Sequence, residues 1–250
     1  MVESVIDGRS VAEHFGRAAP DYNVHALIQK RIATDLAARL SSQGTAKTGL
    51  EIGCGTGLLS EHLLARFRET HWIFSDVALP MLIQSQRKLG AKHHFVCCDA
   101  EYFQSQIQFD LICSSLCFQW FRTPVRTLKL LHQQLRPGGS MIYSTLGPRT
   151  FYQWHDVLNS LNLPTSTLDF RSSEEICAEA GLTAQIENVL YEWKVKSARE
   201  FLLGLRAIGA SVPKEGAISL HASDLRRAMQ EFDRRHSHVC YDVQFVRIDK

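Results

Sequence analysis

The chain has 250 residues, 45% hydrophobic and 22% charged, with a net charge of only +2. That supplies one sizeable core, as one large domain or a domain with a small cap, and the charge is too balanced for a dedicated nucleic-acid binder. Its apolar runs are too short to cross a bilayer, its acid-bearing N-terminal stretch is no signal peptide, and its seven cysteines lack a Cys-x-x-Cys pair, so they read as reduced, buried thiols of a cytoplasmic protein.

Taken in order, Ser10-x-x-Glu13 is a capping-box pattern and predicts a short helix over 10–16, broken by Arg17-Ala18-Ala19-Pro20-Asp21. A longer helix follows, with Ile28, Ile32, Leu36 and Leu40 stacked along one face, and then a polar loop over 41–48. Strands and helices next alternate: strand 49–52, helix 58–68, strand 71–75 ending at Asp76, helix 79–88, strand 94–98 ending at Asp99, strand 109–114. Gly49 is a poor strand residue. Thr123-Pro124 starts a helix that runs to Leu135, and Pro137-Gly138-Gly139 turns the chain into a strand over 140–145. Beyond it the pattern is irregular: helix 151–161, a helix capped by Ser172-x-x-Glu175 and ended by Gly181, strand 187–195, helices 198–207 and 223–235, and a last strand 239–248. The alternation predicts an α/β fold with a parallel, doubly wound sheet. The helical pair between the last two strands is extra and could cover the sheet's carboxyl edge.

The chemistry centres on Leu50-Glu51-Ile52-Gly53-Cys54-Gly55-Thr56-Gly57, a strand running into a turn of alternate glycines, with a helix expected to open at Leu58. Gly53, Gly55 and Gly57 let the backbone turn tightly and approach a ligand, and the helix start favours a carboxylate or hydroxyls. Leu58 stands where a nicotinamide-type fingerprint needs glycine, and no Lys-Ser/Thr pair follows, so this is no P-loop. Asp76, about twenty residues on, suits a ribose diol, or a helix N-cap. Asp99 can accept from an adenine amino group, or serve a turn. Glu51, inside the strand, needs a partner, either a ligand ammonium or the loop's own N–H groups. Met81 faces the base or the core. Ser114 opens an aromatic tip, Ser114-Ser115-Leu116-Cys117-Phe118-Gln119-Trp120, which is either where a substrate meets a cofactor or a hydrophobic plug. The eleven histidines show no metal spacing, and no nucleophile elbow is present.

The acidic residue followed by x-Gly-x-Gly-x-Gly resembles motif I of class I S-adenosylmethionine-dependent methyltransferases. Phe15-Gly16-Arg17-Ala18-Ala19, Tyr22, His25 and Gln29, Asp76 with Pro80-Met81-Leu82, Ser114-x-Leu116 with Gln119-Trp120, Leu135-x-Pro137-Gly138-Gly139 and Leu205-Arg206-Ala207-Ile208-Gly209-Ala210 narrow it. Over nearly the whole length the chain resembles the malonyl-[acyl-carrier protein] O-methyltransferases of biotin synthesis; it departs at Gly49 and at Ser115, where asparagine is common.

The resemblance implies a class I methyltransferase (Rossmann-like) sheet, mostly parallel with an antiparallel last strand and helices on both faces. It implies one domain over 1–250, with a helical cap at 1–40 and a helical lid at 197–236. It implies methyl transfer from S-adenosyl-L-methionine to the free carboxylate of malonyl-acyl-carrier protein, without metal, nucleic acid or membrane. The malonyl carboxylate, ionised at pH 7, needs no general base. Glu51, Gly53, Gly55, Gly57, Asp76, Met81, Asp99 and Ser114 are then expected at the cofactor. Arg149, on the rim after the 140–145 strand, is expected to grip the substrate carboxylate between Tyr22 and Trp120, with Arg17 as the second candidate anchor. The 194–250 stretch carries eleven Lys/Arg and seven Asp/Glu, a small excess that suits an acidic carrier. The rival readings are another small-molecule carboxyl or quinone methyltransferase, and a non-catalytic module that binds an adenosyl ligand.

Overall fold

A computed structural model describes residues 8–40 and 46–250. The first seven residues of the expected cap and most of the expected 41–48 loop lie outside the described residues. The elements are α1 (Gly8–Ala18), α2 (Tyr22–His25), α3 (Leu27–Arg39), β1 (Thr48–Ile52), α4 (Ser60–Arg66), β2 (His71–Asp76), α5 (Leu79–Leu89), β3 (His94–Cys97), β4 (Phe109–Ser115), α6 (Pro124–Gln133), β5 (Leu135–Leu146), α7 (Tyr152–Ser160), α8 (Ser173–Ala180), β6 (Gln185–Lys194), α9 (Ala198–Ala207), α10 (Ala222–Arg235) and β7 (His238–Asp249).

One seven-stranded sheet runs β3-β2-β1-β4-β5-β7-β6, and β7 pairs antiparallel with both its neighbours. Strand alternation sends Leu50, Ile52 and Ile112 to a core under α6 and α8, and Trp72, Phe74, Leu111 and Cys113 to a core under α3, α4 and α7. The strand order reverses between β1 and β4, so the chain leaves these neighbouring strands in opposite senses and opens a crevice at their carboxyl ends.

Several local expectations shift, each for a physical reason. α1 starts before the expected cap and runs to Ala18; Ser10 is inside it, its Oγ 3.4 Å from His14 Nδ1, so no capping box forms there. Ser172 does cap α8 by accepting the Glu175 N–H at 3.2 Å. The helix after the glycine turn opens at Ser60, not Leu58. Pro137-Gly138-Gly139 is not a loop before β5 but a bulge within it: the register against β4 slips between Phe109 and Leu111, and Gly138 donates to the Lys250 carbonyl at 2.7 Å. Gly49 is no defect, because a Cβ there would stand 2.6 Å from the Trp72 ring stacked across β2. Of the seven free cysteines Cys54, Cys113, Cys177 and Cys240 are buried, whereas Cys97 on edge strand β3 is exposed. No helix among the described residues is long and apolar enough to cross a membrane.

Candidate active site

The crevice between β1 and β4 holds a cavity of about 110 Å³, lined by Gly53, Gly55, Asp76, Met81, Asp99 and Trp120 with their neighbours. The three motif glycines are needed for two different reasons. A Cβ on Gly53 would lie 2.5 Å from Cys117 Sγ, and one on Gly57 3.1 Å from Ser85 Oγ, so both leave room for packed protein. A Cβ on Gly55 would meet nothing within 4 Å, and its φ of +54° is costly for any other residue. Gly55 is therefore the position whose missing side chain leaves space for a ligand. The loop is anchored from both sides: Thr56 donates its hydroxyl to Asn23 Oδ1 of α2 at 2.6 Å, and the Gly55 N–H donates to Asp76 Oδ2 at 2.8 Å.

Asp76 ends β2, and its other oxygen accepts the Ala78 N–H at 2.8 Å. That bond closes an Asx turn; it does not cap α5, whose N-cap is Ala78. The carboxylate thus shapes the cavity wall while still facing it, with free lone pairs for a diol. Burial pushes its pKa up to about 6, against the pull of the Ala78 and Gly55 N–H groups. The ionised form accepts both N–H groups. Ligand affinity is therefore expected to be full above about pH 6 and to fall below it by up to about tenfold per pH unit. Calorimetry with S-adenosylmethionine from pH 5 to 8 checks this, and an Asp76→Asn protein should lose the dependence.

Asp99 faces the cavity but is engaged as a turn residue, accepting the Glu101 N–H at 2.9 Å and lying 3.5 Å from the Arg122 guanidinium. Arg122 also donates to Glu101 at 2.9 Å, and the Thr123 N–H and hydroxyl bond Glu101 rather than cap α6. Asp76, Asp99 and Glu101 make this lining acidic.

Three expected cofactor residues are placed behind the wall. Gly57 packs on α5, as described. Ser114 is fully buried and donates to the Ile52 carbonyl at 2.8 Å, bracing β1 against β4; its neighbour Ser115 lines the cavity instead. Glu51 points to the opposite face of β1, where Oε2 accepts the Ser60 hydroxyl at 2.6 Å. Its partner is the Ser60 hydroxyl and not the loop's N–H groups. Burial pushes the Glu51 pKa up to about 8, so it is largely neutral at pH 7. Glu51→Gln, equally neutral and nearly isosteric, is expected to change the S-adenosylmethionine Kd by less than about threefold. A drop of tenfold or more in titration calorimetry would instead place Glu51 in contact with the ligand.

A second, larger chamber of about 580 Å³ opens beyond Trp120. Phe15, Tyr22, Leu116 and Trp120 line both spaces and form the junction between them. The rings of Phe15 and Trp120 meet edge-on at 5.3 Å, and those of Phe15 and Tyr22 are 6.4 Å apart. Leu116 holds φ at +52°, a strained value for a leucine at the end of β4. Burial and the Asp76 charge push the Tyr22 pKa upward, so it stays a phenol at neutral pH. The chamber is otherwise mostly apolar, built on Phe151, Trp154, Phe201 and Tyr241 and covered by the 202–225 stretch. Gly209 of that stretch lies on α1, its absent Cβ 2.8 Å from the His14 carbonyl oxygen.

Neither expected arginine lines these spaces. Arg149 is at the rim with its fork on Asp242: Nη2 to Oδ1 at 3.2 Å, Nε to Oδ2 at 3.4 Å. Asp242 is buried and needs that partner, so it competes for the cation a substrate would want. Arg17 is exposed on α1, with Nε on the Glu13 carbonyl at 3.2 Å. Among the described residues the chamber lining holds one cation, Lys214, paired with Asp169 at 3.0 Å. The structure thus brings Gly53, Gly55, Asp76, Met81, Asp99, Tyr22 and Trp120 together, and adds Phe15, Val77, Glu101 and Leu116.

Residues 50–139 match the family described as "Methyltransferase domain". The chain is 35% identical over 95% of its length to the biotin biosynthesis bifunctional protein BioCD of Bordetella avium, and spans about half (51%) of that longer relative. It is 32% identical to the malonyl-[acyl-carrier protein] O-methyltransferase of Brevibacillus brevis, over 96% of this chain and 95% of the relative. Among solved structures it is similar in fold to the N-methyltransferase NodS of Bradyrhizobium japonicum in complex with S-adenosylhomocysteine, with a TM-score of 0.52, 15% identity, and 87% and 85% of the two chains covered.

Proposed function

The chain belongs to the malonyl-[acyl-carrier protein] O-methyltransferase family, and on that premise we propose that it methylates the free carboxylate of a malonyl thioester held by acyl-carrier protein. The methyl ester so formed masks a charge and primes synthesis of the biotin precursor. The observation that carries this reading is the pairing of an acidic, glycine-edged cavity with a larger apolar chamber across one four-residue junction.

The cavity's residues fit S-adenosylmethionine. The space left at Gly55 suits the methionine part, Asp76 the ribose hydroxyls, and Val77, Met81, Ala100 and Phe121 a flat base. The acidic lining suits a ligand that carries a sulfonium and an ammonium. When bound, this ligand supplies an electrophilic methyl group. A malonyl carboxylate is already nucleophilic, so the chain's work is alignment and exclusion of water. Phe15, Leu116 and Trp120 exclude water at the junction. Tyr22, a phenol held protonated, can donate to the carboxylate oxygen that does not attack. Arg149, with its fork on Asp242, steadies the loop after β5 in place of anchoring substrate. The α9–α10 stretch acts as the lid, resting on α1 at Gly209.

Incubation of the protein with S-adenosylmethionine and malonyl-carrier protein, read by intact mass, tests the proposal. Addition of one methyl to the malonyl carrier, and none to the carrier without malonate, is the expected result. A folded protein that binds the cofactor and leaves every malonyl thioester unchanged would overturn it.

A further inference from the structure

The proposed substrate arrives on a protein, and the outer surface of α9 shows where that protein could sit. Arg199, Leu203 and Arg206 recur at four- and three-residue spacing along one exposed face of this helix, and exposed Lys196 stands just before its N-cap, Ser197. They flank a groove of about 770 Å³ between α9 and the α2–α3 turn, lined at the far side by His25, Ile28 and Gln29. The three cations stand in no ion pair among the described residues. Glu200, the one acid of the groove among the described residues, turns its carboxylate onto the Lys196 backbone N–H. Leu203 is 47% exposed, and beside His25 and Ile28 the chain exposes Val24 (70%) and Leu27 (54%). Unpaired cations around exposed leucine and valine describe a face for an acidic, partly apolar protein surface.

A separate observation concerns the inner end of this groove. Gln29, Phe201, Leu205, Ile208 and Tyr241 line both the groove and the substrate chamber, so the two spaces adjoin there. Gln29 Oε1 is buried and has no hydrogen-bond partner. A buried carbonyl left unpaired is costly, and an arriving N–H would satisfy it. The arm on which a carrier protein holds its thioester carries amide N–H groups along its length.

We infer that the groove between α9 and the α2–α3 turn is the docking face for the acidic carrier protein, and that Gln29 receives an amide N–H of the carrier's arm as it threads into the chamber. The inference rests on the carrier-borne substrate proposed above. It gives a continuous route from the groove, past Gln29, through the chamber to the junction at Tyr22 and Trp120. It also selects α9 over α10, whose exposed Arg226 and Arg227 line neither the groove nor the chamber.

Steady-state kinetics on three malonyl thioesters test it: carrier-bound, pantetheine and ethanethiol, the last with no amide. Arg199→Glu/Arg206→Glu should raise the KM for the carrier-bound substrate, relative to the pantetheine one, by about tenfold or more. Leu203→Asp should move the same ratio in the same direction. Arg226→Glu/Arg227→Glu should move it by less than about twofold. Gln29→Met, which keeps length and drops the amide, should lower kcat/KM on carrier and pantetheine substrates about tenfold relative to ethanethiol. An unchanged ratio in both α9 variants, or a shift confined to the α10 variant, overturns the docking face and leaves the methyl-transfer reading standing. Equal loss on all three thioesters in Gln29→Met makes Gln29 a packing residue and removes the arm contact. A wild-type protein active on none of them overturns the methyl-transfer reading, and the docking face falls with its cargo.

Discussion

Replacing Asp76 by alanine should weaken S-adenosylmethionine binding by about thirtyfold to a thousandfold, which is about 2–4 kcal/mol of lost charged hydrogen bonds. The carboxylate has two roles. It accepts the Gly55 and Ala78 N–H groups at 2.8 Å each, fixing the glycine turn against the start of α5, and it faces the cavity with lone pairs to spare. Alanine removes both at once: the ribose loses its acceptor, and the turn loses the group that sets its distance from β2. The fold should survive, because burial already works against this carboxylate's charge and Thr56 still ties the loop to Asn23. A fall in Tm of only a few degrees is expected. Asp76→Asn should be intermediate, since one amide oxygen can still accept while the NH₂ meets an N–H. Calorimetry beside a thermal melt separates the roles, and a folded alanine variant whose Kd stays within about threefold of wild type would refute the assignment.

Much of this architecture was legible from spacing. The strand–glycine turn–helix order and the alternation that follows it are local signals, and they locate the sheet and its crevice. Ser172-x-x-Glu175 is local too, and it caps α8 as expected. What escaped depends on neighbours distant in sequence. Gly49 looks like a poor strand residue until Trp72 stacks on it. Pro137-Gly138-Gly139 looks like a turn until Lys250 pairs with it and makes it a bulge within β5. At the site, Asp76 lines the cavity, whereas Glu51 and Ser114 lie outside its lining. Strand parity decides that case: Glu51 lies between Leu50 and Ile52 and therefore faces the other side of the sheet, toward Ser60. Arg149 sits on the right rim, yet only the tertiary fold reveals that buried Asp242 takes its fork. Leu116 stood in the aromatic tip, but its left-handed backbone carried no signal, since positive φ cannot be read from a leucine.

With Arg149 engaged and, among the described residues, no free cation in the chamber lining, the proposed function leaves the substrate carboxylate to neutral donors, and Tyr22 becomes the residue whose loss should cost most in turnover. Tyr22→Phe is expected to lower kcat/KM on malonyl thioester by about thirtyfold to a thousandfold, the range seen when one donor to a developing or desolvated oxyanion is removed. The substitution keeps the ring that packs near Phe15 and lines both spaces, so the junction should still exclude water. Cofactor affinity should change by less than about threefold, because Asp76 and the glycine turn are untouched. The pH profile adds a second readout. Burial and Asp76 push the Tyr22 pKa upward, so the phenol stays protonated and donating through the neutral and mildly alkaline range, and the wild-type rate should show no alkaline fall from this group below about pH 9. Arg149→Met makes the contrast: it should unsettle the loop at Asp242 and lower stability, with kcat/KM reduced less than about tenfold. If Arg149→Met abolishes turnover while Tyr22→Phe is nearly normal, then Arg149 must release Asp242 during the reaction, and the carboxylate is held from the rim instead of from the junction.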